Sequence, residues 1–487
     1  MIEHFPVFTV AFSLLGAFTI LLTSIYTKKS GYPISLGIVS VQFIMSILIL
    51  NHVLSEGTIS YWLGGWRPPW GIEYRVDPLG AYILTIVTLF SFFSTLYARK
   101  VVEKEIEASK RPYFYTLWML LISGMAGVSV TGDLFNLFVF LEIASLSTYA
   151  LIAMAGKRAL IASFNYLILG AVGMSFYLLG TAFLYSATGT LNMHDARSLL
   201  TLLYSSRIVQ LSFVFYFIGL AMKMALFPFH IWQPNAYEYS PSAVTVIIST
   251  ALAKINAYAL FRIIYSVFTV NFLHSHGTIV DMTALVASVG IIAGSLLAIM
   301  ERSLKKMLAY SSVANMGYIV LGLTLGRWGV YAAAAHLLNH SLMKATLFMV
   351  AGGFIYRLGV RNIDELEGLG KAMPLSSAAF TMAAISMMGI PPSAGFVTKL
   401  FILFASLDTE KFVFIAVMIA SSLLSLVYFG RVIETLYMKG NRERMDELPA
   451  SMLYPALIMG FLSILAGVLW FFNIDVLQQI VIALEVR

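Results

Sequence analysis

The chain has 487 residues, of which 59% are hydrophobic and only 11% charged, and its mean hydropathy is +0.85. Ordinary soluble domains carry about 25% charged residues, so a water-soluble globule is excluded. The formal charge of +7 comes with no cysteine at all, which excludes disulfides, thiolate metal sites, iron–sulfur ligation by this chain and cysteine nucleophiles.

Apolar runs of about the 20 residues that a bilayer-spanning helix needs recur along the whole sequence. They predict an all-α polytopic membrane protein with about fourteen transmembrane helices. In chain order the predicted spans lie near Pro6 to Tyr26, Ile34 to Val53, Leu79 to Arg99, Pro112 to Thr131, Leu134 to Ala155, Ile161 to Ala187, Ile208 to Asn235 and Ser242 to Val270. The second set lies near Thr278 to Met300, Ser303 to Leu325, Val330 to Tyr356, Pro374 to Ser406, Phe412 to Tyr437 and Met452 to Phe472. An even count puts both termini on one side.

The loops choose that side. Those after the first, third, fifth, ninth, eleventh and thirteenth spans hold 18 of the 31 Lys and Arg residues, among them Lys28, Lys29, Arg99, Lys100, Lys110, Arg111, Arg302, Lys305 and Lys306. The opposite face holds seven: Arg67, Arg75, Arg197, Arg207, Arg327, Lys411 and Arg487. Cationic loops are retained in the cytoplasm, so both termini are expected outside a cell membrane. The longest external loop, 61–77, carries Trp62, Trp66 and Trp70, rings suited to the membrane interface.

Six basic residues remain inside apolar segments: Lys223, Lys254, Arg262, Lys344, Lys399 and Arg431. A charge at mid-membrane costs about 2.5–3.5 kcal/mol on insertion scales. Arg262 and Arg431 fall near span ends, where long side chains are expected to snorkel to the headgroups. The four lysines lie deeper and are expected to work. Burial favours a neutral amine and a neighbouring carboxylate favours the ammonium, so small rearrangements can move a proton on and off. The candidate carboxylate is Glu142, alone among acidic residues deep in the first half, and it could pair with Lys223 or Lys254. Asp133, at the start of a span, is expected to be an N-cap.

His336, His340 and Lys344 recur every four residues, within an arc of about 80° on one helix face. Three titratable groups on one face predict a proton relay or ion path. A zinc site is the weaker reading, since the segment has no carboxylate and Lys344 would repel the cation. His230 and Asn235 are further polar candidates.

Two long spans contain helix breakers. Pro228 removes the hydrogen bond to the Met224 carbonyl beside Lys223, while Pro391 and Pro392 strand the carbonyls of Met387 and Met388 before Lys399. Broken helices at membrane depth are tolerated where protein or water satisfies the freed backbone. The breaks stand 163 residues apart, about five spans, and an odd-numbered unit used twice must appear inverted. The predicted organisation is three N-terminal helices and an external loop (1–111), a first five-helix repeat (112–270), a second, inverted one (271–437), and a C-terminal helix with a short tail (438–487).

The run Lys223-Met-Ala-Leu-Phe-Pro-Phe-His-Ile-Trp-Gln-Pro-Asn-Ala-Tyr237, followed by Ala253-Lys-Ile-Asn-Ala-Tyr-Ala-Leu-Phe-Arg262, resembles the antiporter-like subunits shared by Mrp cation/proton antiporters, respiratory complex I and membrane-bound hydrogenases. The likeness continues through Ala309-Tyr-Ser-Ser-Val-Ala-Asn-Met-Gly317, His340-Ser-Leu-Met-Lys-Ala-Thr-Leu-Phe348 and Gly389-Ile-Pro-Pro-Ser-Ala-Gly-Phe-Val-Thr-Lys399. The stretch Gly64-Gly-Trp-Arg-Pro-Pro-Trp-Gly-Ile72 before Asp77-Pro-Leu looks closest to the MrpD branch of these antiporters. The resemblance implies fourteen helices with two inverted five-helix units, broken helices seven and twelve, and no cofactor. It also implies a proton path of Glu142, Lys223, Lys254, His336, His340, Lys344 and Lys399. The chain ends about fifteen residues past the last predicted span, so it resembles the shorter members, which lack a lateral helix.

The expected function is proton translocation as one membrane subunit of a cation/proton antiporter or a redox-driven pump, with hydrophobic neighbouring subunits, protons and a sodium option, and no nucleic acid. Any oxidoreductase chemistry would sit on partners. A single-chain secondary transporter for a small solute is the alternative, although a line of lysines is longer than one pocket requires.

Overall fold

The computed structural model describes residues 2–486, apart from the side chains of residues 471–473. Arg487, counted above on the cation-poor face, lies outside the described residues. Helices dominate. In the first half they are α1 (Phe5–Ser24), α2 (Gly31–Glu56), α3 (Pro78–Glu105), α4 (Arg111–Val130), α5 (Leu134–Ala153), α6 (Arg158–Thr188), α7 (Met193–Leu200), α8 (Arg207–Lys223) and α9 (Trp232–Tyr239). A long helical segment, Ser242–Ser275, follows as α10 (Ser242–Ile247), α11 (Ala253–Phe261) and α12 (Thr269–Ser275), joined by π-helical turns at Ile248–Leu252 and Arg262–Phe268. The second half contains α13 (Gly277–Met300), α14 (Leu304–Gly322), α15 (Gly326–Leu358), α16 (Leu369–Ala372), α17 (Pro374–Met388), α18 (Ala394–Asp408), α19 (Val413–Tyr437), α20 (Ala450–Val468) and α21 (Trp470–Ala483).

Among the described residues, ten helices are long and apolar enough to cross a membrane. The predicted spans near 208–235, 303–325, 330–356 and 374–406 are not among them. Two of these are interrupted: α8 stops at Lys223 and resumes as α9, and α17 stops at Met388 and resumes as α18. The other two, α14 and α15, dilute their apolar residues with Lys305, Asn315, His336, Asn339, His340 and Lys344.

One element departs from an all-helical expectation. Ile59–Trp62 (β1) and Glu73–Val76 (β2) pair antiparallel, with Ile59 opposite Val76 and Trp62 opposite Glu73. Aromatic and β-branched residues favour this pairing. Buried Glu73 anchors the hairpin by accepting from Ser60 Oγ (2.5 Å) and from Asn192 Nδ2 (2.8 Å) in the loop before α7. Trp66 and Trp70 stay exposed at the tip, Trp70 by 89%, as an interfacial role requires. The C-terminal residues expected as a short tail form α21 instead, which packs on α3 and α15 through buried Leu477, Ile480 and Val481.

Lipid gives helices no hydrophobic reason to associate, so close packing depends on small residues that let backbones approach. Helices α6 and α8 show this: a Cβ on Gly219 would lie 2.5 Å from the Gly173 carbonyl oxygen. Helices α1, α2, α6 and α19 keep apolar outer faces such as Leu22, Ile44, Phe164 and Leu423 exposed. By contrast α10, α11 and the middle of α15 are buried all round. The protein's core therefore coincides with the two helical segments that carry Lys254 and the His336–Lys344 face.

Candidate functional site

Lys223 is the last residue of α8, 1% exposed, and its Nζ lies 2.9 Å from Glu142 Oε1. It also donates to Ser145 Oγ (2.6 Å) and faces Tyr149 Oη (3.5 Å). Glu142, Ser145 and Tyr149 fall at i, i+3 and i+7, so one face of α5 supplies all three partners. Of the two pairings open from sequence, Glu142 takes Lys223. The helix break beside it is satisfied by side chains: Trp232 Nε1 donates to the Met222 carbonyl and Asn256 Nδ2 to the Lys223 carbonyl, each at 3.0 Å. Asn256 thus ties the Lys223 terminus to α11, two residues beyond Lys254.

Lys254 is fully buried, and among the described residues it has no carboxylate within ion-pair distance. Its Nζ donates to the Ser249 carbonyl at 2.6 Å. That oxygen belongs to the π turn Ile248–Leu252, and such turns recur at functional sites. Ser341 Oγ donates to Thr250 O in the same turn (2.9 Å), joining α15 to it.

The face expected on α15 is present. The rings of His336 and His340 stack, with centroids 5.1 Å apart and planes 6° from parallel. His336 Nδ1 lies 3.3 Å from Thr398 Oγ1 of α18. His336 Nε2 and both ring nitrogens of His340 face no protein partner, a state that buried polar atoms normally resolve with internal water. Lys344, fully buried, donates to Leu308 O (2.6 Å) and Ser311 Oγ (2.5 Å) on α14. Asn339, which sequence reasoning passed over, binds Ala394 O and Thr398 Oγ1 and so locks α15 to the start of α18.

Lys399, on α18, reaches back across the second break to the Met388 carbonyl at 2.7 Å. Gly389 permits this. Its φ of +79° suits glycine, and a Cβ there would sit 2.6 Å from Lys399 Cδ and 2.8 Å from Nζ.

Three basic residues depart from expectation. Arg262 does not snorkel: it is 6% exposed, with both terminal nitrogens on Asp77, each 2.5 Å from a carboxylate oxygen, and Nε on Tyr258 Oη at 2.7 Å. Asp77 N-caps α3 through Gly80 N, and Gly80 leaves room for the guanidinium. Arg431 turns inward to the Ile299 and Glu301 carbonyls at the end of α13. Lys305, assigned above to a loop, is 3% exposed. Asp133 is an N-cap as expected, accepting from Asn136 N at 2.7 Å. His230 packs against Phe227 and Tyr310, and no hydrogen bond joins it to the lysines.

The molecule is thus a helical membrane protein whose buried amines and imidazoles sit in its packed core, beside two broken helices. The sequence profile of the family described as NADH:quinone oxidoreductase/Mrp antiporter, TM, matches residues 131–425, and the chain belongs to that family. It is 42% identical over 438 residues to the N subunit of the NADH-quinone oxidoreductase of Desulforudis audaxviator, covering 86% of each chain. It is 28% identical over 462 residues to the D subunit of the Na(+)/H(+) antiporter of Alkalihalophilus pseudofirmus, covering 93% of this chain and 91% of that one. A chain in the structure of the membrane-bound sulfane sulfur reductase, an archaeal respiratory membrane complex, superposes with a TM-score of 0.90 at 32% identity, covering 97% of this chain and 96% of that one.

Proposed function

We propose that this subunit carries protons along Glu142, Lys223, Lys254, His336, His340, Lys344 and Lys399. The observation that carries the reading is the Lys223–Glu142 pair, 2.9 Å apart at a helix break. Loosening that pair favours the neutral amine and tightening it favours the ammonium, so a shift of the α8 terminus changes the proton affinity at the entrance to the line. The imidazoles can accept on one nitrogen and donate from the other, and internal water at their unpartnered nitrogens completes the relay.

In this reading the chain crosses a cell membrane fourteen times with both termini outside. The ten long apolar helices are joined by the two interrupted segments, α14 and α15. Residues 112–270 and 271–437 form two inverted five-helix units, each with one break in its fourth segment. Pro228, Pro391 and Pro392 hold those breaks open. Neighbouring membrane subunits supply the driving force, either a sodium gradient or a redox module.

The test is proton-coupled transport by the assembled complex carrying Lys223→Ala or Glu142→Ala. Each variant loses coupling in this account, and wild-type coupling in both removes the pair from the mechanism.

A further inference from the structure

The line above leaves one buried lysine unused. Lys305 opens α14 on the cation-rich face, between Leu304 and Lys306, yet its Nζ points inward to Thr245 Oγ1 (3.2 Å), Ser242 Oγ (3.3 Å) and Ser240 O (3.4 Å). These are long contacts, and among the described residues no carboxylate lies within ion-pair distance of it. One carboxylate, Glu105, stands one hydroxyl away through Ser242 Oγ, and a second, Glu238, lies nearby without a shared hydroxyl. Glu105, at the end of α3 and only partly buried, accepts from Ser242 N (2.7 Å) and Ser242 Oγ (2.8 Å). Glu238 of α9 is buried, accepts from Ser303 Oγ (2.5 Å) and faces Arg361 at 3.7 Å.

This arrangement is poor as a clamp. A lone buried amine with three neutral acceptors costs more than an apolar side chain of its size would. It is well placed as a station. Lys305 shares its helix with Leu308 and Ser311, the two partners of Lys344, which lie about 4.5 and 9 Å further along the axis.

We propose that Glu105, Ser242 and Lys305 form the proton-loading site that feeds Lys344 from the cation-rich face. The inference rests on the proton-carrying reading above. A proton from the aqueous face makes Glu105 a carboxylic acid. Its O–H bond then breaks as Ser242 Oγ takes that proton and releases its own to the neutral Lys305 amine. Glu105 returns to the carboxylate and Lys305 becomes the ammonium. The ammonium passes a proton through Ser311 and intervening water to the neutral Lys344 amine, and Lys305 is reset. Glu238 and Arg361 are the other charged groups that face Lys305.

The experiment measures proton uptake against pH by vesicles containing the assembled complex, for Lys305→Arg, Glu105→Gln and Lys223→Ala. Lys305→Arg keeps a cation and its hydrogen bonds but cannot release a proton, so uptake should fall by on the order of a hundredfold. Glu105→Gln should lose most uptake and flatten its pH profile. Wild-type uptake and an unchanged profile in Lys305→Arg would overturn the loading site. If Lys305→Arg fails to assemble, Glu105→Gln decides by the same criterion. Lys223→Ala separates the two readings: its loss together with a wild-type Lys305→Arg removes only the loading site, whereas wild-type uptake in Lys223→Ala removes the line itself.

Discussion

Lys399 Nζ donates to the Met388 carbonyl, the very oxygen that Pro392 deprives of its helical N–H. One side chain of the proposed path therefore also repairs the backbone at the break. Gly389→Ala would force a Cβ to within 2.6 Å of Lys399 and strain a φ of +79°. A destabilisation of about 1–3 kcal/mol is expected, read as a lower melting temperature of the complex, with transport falling further than assembly.

The Glu142–Lys223 pair is buried on the lysine side. Removing one partner leaves the other uncompensated, at a cost of about 3–5 kcal/mol. Glu142→Gln or Lys223→Met alone should lower thermal stability by that order, and the double variant should recover much of it. Transport should not recover. A double variant destabilised by the full sum of the two single costs would show that the two side chains do not interact.

Asp77 and Arg262 form a second buried pair, outside the proposed line. Arg262→Ala should likewise cost about 3–5 kcal/mol, with partial rescue by Asp77→Asn. Transport per assembled complex should stay near wild type, which assays normalised to complex content would check.

Glu365 accepts from the backbone N–H groups of Arg361 and Asn362 and from the Asn362 side chain, which together hold its carboxyl below the usual range. A depressed carboxylate contributes stability above its unfolded pKa and loses it as pH falls through the folded value. Local opening of residues 361–366, followed by hydrogen exchange, should therefore increase below about pH 4. In Glu365→Gln that acid-dependent step should vanish.

Much of the site was legible because charge in an apolar segment is expensive wherever it sits. Lys223, Lys254, Lys344 and Lys399 stand out against runs of Leu, Phe and Ala, and Glu142 is conspicuous as a lone carboxylate inside an apolar run. The His336–Lys344 face follows from helical periodicity alone. Lys305 was hidden because Arg302 and Lys306 flank it and loop cations look alike. Its inward turn depends on the hydroxyls of Ser242 and Thr245, 63 and 60 residues away in the chain. Arg262 misled for the same reason: its partner is 185 residues distant. The π turn that presents the Ser249 carbonyl to Lys254 leaves no local signature, since Ile-Ser-Thr-Ala-Leu reads as ordinary helix.

The most direct test of the account is Lys254→Gln, because this central amine is fully buried with a backbone carbonyl for a partner. Replacing it relieves a costly burial, so the complex should assemble and melt no lower than wild type. Proton-coupled transport should nevertheless fall by on the order of a hundredfold. A fully assembled Lys254→Gln complex that transports protons at the wild-type rate would contradict the claim that these amines carry the proton.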